Sequence, residues 1–315
     1  MAEESKTISS YEFFKKFPND TTARLYLENQ RWGDSPICPK CGSVNNQYKQ
    51  KRSGVEGYFS CYHCKAVYTV RTGTVFERSH VPLDKWLYAM YLIVTARKGI
   101  SSVQLSKELG VTQKTAWFML QRIREACGND DDNDDINGFL SGIVEADETY
   151  IGGKEKNKHA HKKLNAGRGA VGKIAVLGMR QRGGNVIAKV LKSTTAGVIQ
   201  SALNAAIKVG STLCTDEHRS YIGNQFNHMV VNHSAKQFVD GMAHTNGIES
   251  VWALLKRGFY GVYHNFSEKH LQRYVNEFTY RLNEGNCKIH TVDRINSLLS
   301  KAIGRRLTYK MLIAG

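Results

Sequence analysis

The sequence predicts an α/β protein whose C-terminal half forms a mixed five-stranded sheet, preceded by two small modules. Three observations support this prediction: two pairs of closely spaced cysteines, two short helical patterns around a glycine, and five strand-like segments with intervening helices. With 315 residues, 41% of them hydrophobic, the chain is long enough for two or three domains with a substantial core.

The chain divides into six segments by composition and pattern. They are an N-terminal helical segment (1–35), a cysteine-rich module (36–78), a helical module (79–128), an acidic linker (129–138), the sheet-containing domain (139–285) and a C-terminal basic tail (286–315). The linker lies in GNDDDNDDINGF, which has many acidic residues and no apolar periodicity, as is typical of a solvated domain boundary.

The cysteine-rich module contains two CxxC pairs, CPKCG and CYHCK, separated by 19 residues. Cys38, Cys41, Cys61 and Cys64 can supply four thiolates to one tetrahedral Zn²⁺. Disulfides are the alternative, but the N-terminus lacks a basic region followed by an apolar run, so we expect no secretory signal. Because β-prone residues flank the second pair, we predict a zinc ribbon with a structural metal ion.

The next module has the pattern of two helices joined by a tight turn. Ser101 or Ser102 can cap the first helix, Gly110 permits the turn, and Thr112 can cap the second helix. This pattern is typical of a helix-turn-helix, with an ordinary helical hairpin as the alternative. The second helix would offer the following residues to DNA: Gln113, Lys114, Gln121, Arg122 and Arg124.

Five strand-like segments follow the acidic linker. In chain order they are SGIVEADETYI, KIAVLGMR, NVIAKVL, STLCTD and HMVVN, and helices are predicted after the third strand and from about Asn246 to Arg257. Three strands in a meander, followed by alternating helices and strands, match the ribonuclease-H-like fold. In that topology the first and fourth strands are neighbours.

Three carboxylates are placed by this topology where they can meet. Asp147 lies toward the end of the first strand, Asp216 ends the fourth strand, and Glu249 lies on the following helix. Carboxylate oxygens bind Mg²⁺, and paired Mg²⁺ ions stabilise both the attacking and the leaving oxygen when a phosphodiester is cut or joined. We therefore predict a catalytic Mg²⁺ (or Mn²⁺) site at these three residues.

Each predicted ligand has a competitor nearby in the sequence. Glu145 and Glu148 flank the first aspartate, and Glu217 follows the second. Asn246 lies one turn before the glutamate and is the alternative third ligand.

The charge of the chain predicts a polyanionic partner. The net charge is +16, and residues 136–315 carry 25 basic against 12 acidic residues. No apolar segment approaches the ~20 residues that span a bilayer, so nucleic acid is favoured over a membrane.

Candidate phosphate contacts lie in two places. Lys256 follows Glu249 by two helical turns and is adjacent to Arg257. The segment 154–173 holds seven basic residues and one acid, among them Lys162, Lys163 and Arg168. Both groups have the alternative of being solvated charges without a ligand.

In combination, several motifs make the sequence resemble transposases. These motifs are CPKCG…CYHC, YTVRTGTVFERS, EADETYIGGK, TDEHRSY and HTNGIESVWALLKRGFYGVYHNFSEKH. The chain resembles DDE-type insertion-sequence transposases of the ISXO2-like group and is similar to the Merlin transposons. The resemblance covers nearly the whole chain, and Asp147 and Asp216 match the two aspartates of the triad. The third position varies in that family; an N-x-x-E-x-x-W pattern favours Glu249 over Asn246.

The resemblance implies an enzyme that binds terminal inverted repeats in double-stranded DNA and transfers strands to target DNA. It also implies a homodimer or higher oligomer on DNA, located at the nucleoid in the cytoplasm of a prokaryote or in the nucleus of a eukaryote. The alternatives are a catalytically inactive, domesticated DNA-binding regulator and a structure-specific nuclease with the same fold.

Overall fold

The computed structural model places the helices and strands of the chain in two compact units. It describes residues 7–52, 54–128, 140–153, 159–163, 171–231, 244–285 and 288–314. The first unit comprises Met1–Cys127 together with Glu284–Gly315, and the second comprises Gly128–Asn283. In the described ranges, every helix is too short or too polar to serve as a membrane span.

The first unit combines helices with a small antiparallel sheet. Its helices are α1 (Ser10–Lys16), α2 (Asp20–Trp32), α3 (Leu83–Thr95), α4 (Ser102–Leu109) and α5 (Gln113–Cys127). Its sheet has the order β1 (Gln47–Arg52), β2 (Val55–Cys61), β3 (Val67–Tyr68).

Helix α2 supplies apolar cover for the small sheet, which is too small to bury much of its own surface. Trp32 at the end of α2 packs edge-on against Phe59 and Tyr68, with ring centroids 5.1 and 5.8 Å away. All three rings are buried. The sheet and the helix that precedes it therefore form one structural element.

The predicted helix-turn-helix is present as α4 and α5. The Ser101 side chain accepts a hydrogen bond from Gln104 N (3.1 Å), which caps α4. Gly110 then adopts a left-handed conformation with φ of 60°, and Thr112 Oγ1 accepts from Thr115 N at the start of α5. The caps and the glycine thus set the two helix ends that the sequence predicts.

The C-terminal segment is helical and belongs to the first unit, whereas the sequence predicts a basic tail over 286–315. It contains α9 (Thr291–Ala302) and α10 (Tyr309–Ile313). Ile295, Leu298 and Leu299 are buried, because their helical spacing places them on one face of α9. The segment is predicted as a tail because its overall composition is basic, and composition does not show that its apolar residues share one helix face.

The second unit contains the predicted mixed five-stranded sheet. Its strands are β4 (Ile143–Ile151), β5 (Ile174–Gln181), β6 (Val186–Leu191), β7 (Thr212–Asp216) and β8 (Asn227–Val231). The spatial order is β6-β5-β4-β7-β8, with the first three strands antiparallel and the pairs β4–β7 and β7–β8 parallel. This arrangement confirms the ribonuclease-H-like α/β prediction.

Helices cover the sheet through two separate apolar clusters. The helices are α6 (Ala196–Ala206), α7 (Asn246–Gly258), which continues into a π-helical turn, and α8 (Leu271–Asn283). Val144 and Ala146 of β4 pack in the cluster of α6, whereas Ile151 packs in the cluster of α7 and α8. Because successive strand residues point to opposite faces, the odd-numbered residues of β4 point toward α7.

The β6 edge of the sheet is completed by amide side chains from α8. Asn283 accepts from Val186 N (2.8 Å) and donates to Val186 O (2.9 Å). Gln272 accepts from Val190 N (2.7 Å). These side chains satisfy backbone groups that an edge strand would otherwise expose to another chain.

We predict that Leu298→Ala lowers the free energy of unfolding of the first unit by about 2–5 kcal/mol, because it creates a cavity at a fully buried site. Met311→Ala removes a side chain that is 56% exposed and should change stability by less than about 0.5 kcal/mol. Urea denaturation of the full chain measures both. If both substitutions changed the free energy of unfolding by nearly zero, the C-terminal segment would be a tail and not part of the core.

Candidate active site

The three predicted carboxylates line one cleft in the second unit. Asp147 on β4, Asp216 at the end of β7 and Glu249 on α7 border an open cleft of about 450 Å³. The other described residues that line it are Glu148, Thr149, Thr245, Trp252, Ala253 and Lys256. The fold therefore brings together acids that lie far apart in the sequence.

Strand register explains why the two aspartates meet. β4 and β7 are parallel neighbours, and Glu145 pairs with Cys214. Continued by two residues, this register places Asp147 level with Asp216. Asp216 is the last residue of β7, whereas Asp147 lies in the middle of β4 rather than toward its end as the sequence predicts, so the two carboxylates meet where β7 ends beside β4.

Asp147 is held by a tryptophan of the facing helix. Trp252 Nε1 donates a hydrogen bond to Asp147 Oδ2 at 3.0 Å. Burial raises the pKa of Asp147 to about 7, and the negative charges of Asp216 and Glu148 act in the same direction. The site thus concentrates negative charge in a partly buried position, which favours binding of a cation.

A glycine in β5 makes room for this tryptophan. Gly178 is the cross-strand partner of Asp147. A Cβ atom at Gly178 would lie 2.4 Å from the Trp252 ring and 2.8 Å from Ile248. Because Gly178 has no side chain, the Trp252 indole can approach β5 closely enough to reach the Asp147 carboxylate.

The third carboxylate lies near the start of α7. Glu249 is exposed, and its Oε1 accepts a hydrogen bond from the Thr245 hydroxyl at 3.1 Å. Among the described residues, Glu249 lines the cleft and Asn246 does not, although Asn246 is exposed as well. Lys256, two turns after Glu249, also lines the cleft and is exposed, as is Arg257 beside it.

Glu148 is a fourth carboxylate at the cleft, although the sequence indicates it only as a competitor of Asp147. Burial raises the pKa of Glu148. Burial raises the pKa of the Tyr221 phenol well above its ordinary value, and the nearby Glu148 charge acts in the same direction. Because adjacent residues of a strand point to opposite faces, the sequence does not predict that Asp147 and Glu148 line the same cleft.

Arg122 is not available to DNA, contrary to the sequence prediction. Only 6% of Arg122 is exposed, and its guanidinium donates to Leu307 O and Val75 O, both at 3.1 Å. Gln121 and Arg124 are buried too. The C-terminal segment covers this part of α5. Because the sequence predicts that segment as a tail, it does not predict that these residues are buried.

Several of the other predicted DNA contacts are exposed. Gln113 and Lys114 are exposed at the start of α5. Lys163 is exposed next to a short 3₁₀ turn that contains Lys162. Arg168 lies outside the described residues.

The four predicted zinc ligands form a cluster in the first unit. The Sγ atoms of Cys38 and Cys64 are 3.6 Å apart, and those of Cys41 and Cys61 are 3.7 Å apart. All four sulfur atoms lie within 4.8 Å of one another. Four thiolates at about 2.3 Å from a tetrahedral Zn²⁺ would be about 3.8 Å apart, so the cluster fits this ion.

Two family models match the chain. Residues 139–283 match the ISXO2-like transposase domain, and residues 18–67 match the transposase zinc-ribbon domain. The first range contains the whole carboxylate cleft. The second contains all four cysteines and the whole of α2, the helix that packs against the ribbon.

A relative and two solved structures extend this comparison. An uncharacterized protein in transposable element ISH50 of Halobacterium salinarum is 30% identical over 281 residues, covering 85% of this chain and 92% of that protein. The pre-cleavage Mos1 transpososome gives a TM-score of 0.29 at 15% identity, covering 66% of this chain and 75% of that chain. The Mos1 strand transfer complex gives 0.21 at 14% identity, covering 64% and 73%.

We predict that Gly178→Ala lowers the free energy of unfolding by about 1–3 kcal/mol, because the new methyl group overlaps the Trp252 ring. Gly197→Ala is the matched control, since it meets no atom within 4 Å in the first turn of α6 and should be neutral or stabilising by up to about 1 kcal/mol. Urea denaturation followed by tryptophan fluorescence compares them. Indistinguishable stabilities would refute the proposed close approach.

Proposed function

Because the chain belongs to the ISXO2-like transposase family, we propose that it is an active enzyme that cleaves and joins DNA strands at the terminal inverted repeats of its element. The observation that carries this proposal is the convergence of Asp147, Asp216 and Glu249 on one cleft. An inactive regulator would have no need to keep three acids together against their mutual repulsion.

The cleft has the donor set of a magnesium or manganese site. Asp147, Asp216 and Glu249 would hold the metal, since hard divalent cations prefer carboxylate oxygens and the charge around Asp147 lacks full compensation. When bound, two such ions supply Lewis-acid stabilisation of the attacking and leaving oxygens in an in-line displacement. Glu249 is preferred over Asn246 because it lines the cleft and bears a charge.

The remaining residues of the cleft orient these ligands and the DNA. The Trp252 indole restricts the Asp147 carboxylate to one orientation, and the Thr245 hydroxyl does the same for Glu249. Lys256 can contact a phosphate beside the reacting one, because its ammonium group is exposed at the same cleft.

DNA binding is assigned to both units. Gln113 and Lys114 at the exposed start of α5 can contact base edges or phosphates in a major groove. Lys162, Lys163, Arg168 and Arg257 would contact phosphates, in keeping with the net charge of +16. Joining two element ends to target DNA requires a homodimer or higher oligomer, acting at the nucleoid of a prokaryote or in the nucleus of a eukaryote.

The four-cysteine cluster would hold one structural Zn²⁺, because four protein ligands leave no open position for catalysis. We predict that Cys38→Ser or Cys64→Ser loses zinc on dialysis and that β1–β3 lose amide protection, since the metal stabilises the ribbon. His63→Ala, inside the second cysteine pair, is the control and should retain about one zinc per chain. Zinc analysis and hydrogen exchange measure both; full zinc retention by the serine variants would contradict the assignment.

We predict that Asp147→Asn, Asp216→Asn and Glu249→Gln each reduce cleavage of the element's end by on the order of 10²–10³-fold or more, because each removes electrostatic stabilisation at the reacting phosphate. Binding to the same DNA end should change little. Glu268→Gln, an exposed acid of the same unit, is the control. Single-turnover cleavage in Mg²⁺ and in Mn²⁺ is the measurement; a wild-type protein that cleaves no end in either metal would refute the enzyme proposal.

A further inference from the structure

The first turn of α7 is not capped by its own N-cap residue. Thr245 occupies the N-cap position but makes no capping hydrogen bond through its side chain. Its hydroxyl instead donates to Glu249. Since the first N–H groups of a helix have no partner within the helix, α7 needs an acceptor from elsewhere.

That acceptor is a buried carboxylate of the central strand. Glu145 Oε2 accepts a hydrogen bond from Ile248 N at 2.9 Å. Glu145 is 1% exposed and lies two residues before Asp147, so both side chains point from β4 toward α7. A negative charge at the N-terminal end of a helix is also favoured by the helix dipole.

An arginine holds this carboxylate and the chain that enters α7. Arg182 Nε donates to Glu145 Oε1 at 2.8 Å. The same guanidinium donates to His244 O at 2.9 Å. Loss of the arginine is costly, because the buried Glu145 carboxylate would lose this partner away from water.

A second arginine and a glycine complete the attachment. Arg180 donates to Gly247 O at 2.6 Å and to Ser250 Oγ at 3.1 Å. A Cβ atom at Gly247 would lie 2.5 Å from Glu145 Oε2 and 3.0 Å from Arg180. Only glycine at this position lets the helix end come close enough for the carboxylate to bind it.

We infer that Glu145 is a positioning residue for the carboxylate site: by fixing the first turn of α7 to β4, it sets where Glu249 stands relative to Asp147. Glu249 directly follows the residue whose N–H Glu145 binds, so a shift of the helix end moves Glu249 with it. The inference rests on the proposed metal-dependent function. It gives Glu145 a part distinct from that of a metal ligand.

The test measures metal binding directly, using the full chain with its zinc retained. Glu145→Gln removes the charge while keeping the shape of the side chain, and Gly247→Ala keeps Glu145 but places a methyl group against its carboxylate, which disturbs the hydrogen bond to the helix end. Both should weaken Mn²⁺ binding, measured by electron paramagnetic resonance, by about 10–100-fold, as is usual when a group that orients a metal ligand is lost. Binding of the DNA end should stay unchanged.

Glu277→Gln is the matched control. Glu277 is equally buried in the same unit, accepts from the Tyr263 hydroxyl and pairs with Arg281, but it lies on α8. It should lower stability without changing Mn²⁺ affinity.

Each outcome has a definite meaning. If the wild-type protein binds no Mn²⁺ outside its zinc site, the proposed function itself fails. If the wild type binds and Glu145→Gln binds equally well, or if Glu277→Gln weakens binding as much, the positioning role is overturned. If Glu145→Gln does not fold, Gly247→Ala decides: weakened Mn²⁺ binding supports the inference, and wild-type affinity overturns it.

Discussion

Mutual repulsion between carboxylates is the constraint on which the second unit depends. Asp147, Glu148, Asp216 and Glu249 border one cleft, and burial together with neighbouring charges raises the pKa of Asp147 to about 7. Without structural restraint, carboxylates this close together would move apart or become protonated, because their negative charges repel one another. The fold opposes the separation through rigid attachments: strand pairing fixes the two aspartates, the Trp252 indole binds one of them, and the helix bearing Glu249 is tied to the sheet by a hydrogen bond to the buried carboxylate of Glu145.

The two faces of the five-stranded sheet differ in what β4 contributes to them. On the α6 face, Val144 and Ala146 belong to a cluster of buried hydrophobic residues that stabilises the fold through the hydrophobic effect. On the α7 face, the same strand presents Glu145 and Asp147, and their cross-strand partners are Arg180 and Gly178. Because side chains alternate along a strand, β4 serves both purposes at once. A shift of its register by one residue would move the apolar residues to the α7 face and the acidic residues to the α6 face, so that both the hydrophobic cluster and the carboxylate site would be lost.

Sequence patterns predicted the features that depend on local chemistry. Paired cysteines, the glycine between two capped helices, and Asp216 at the end of its strand all indicate their structures within a short stretch of chain. The features that could not be predicted depend on distant partners. Arg122 is buried because residues near Leu307, far along the chain, fold over α5. The hydrogen bond from Ile248 N to Glu145 depends on where α7 docks, which no periodicity in either segment specifies.

The order of elements along the chain has a further consequence for folding. The second unit is continuous in sequence, whereas the first is built from two segments that flank it. Its contacts therefore include pairs as distant as Arg294 and Val94, whose hydrogen bond (2.8 Å) joins the C-terminal segment to α3. Long-range contacts form late, since the chain between them must first be ordered or looped out. The second unit can complete its sheet from neighbouring segments, but the first unit cannot bury the apolar face of α9, or satisfy Arg122, until the segment that contains α9 and Leu307 is in place. The basic C-terminal segment, unremarkable by composition, thus completes the core of the unit that carries the zinc ribbon and the helix-turn-helix.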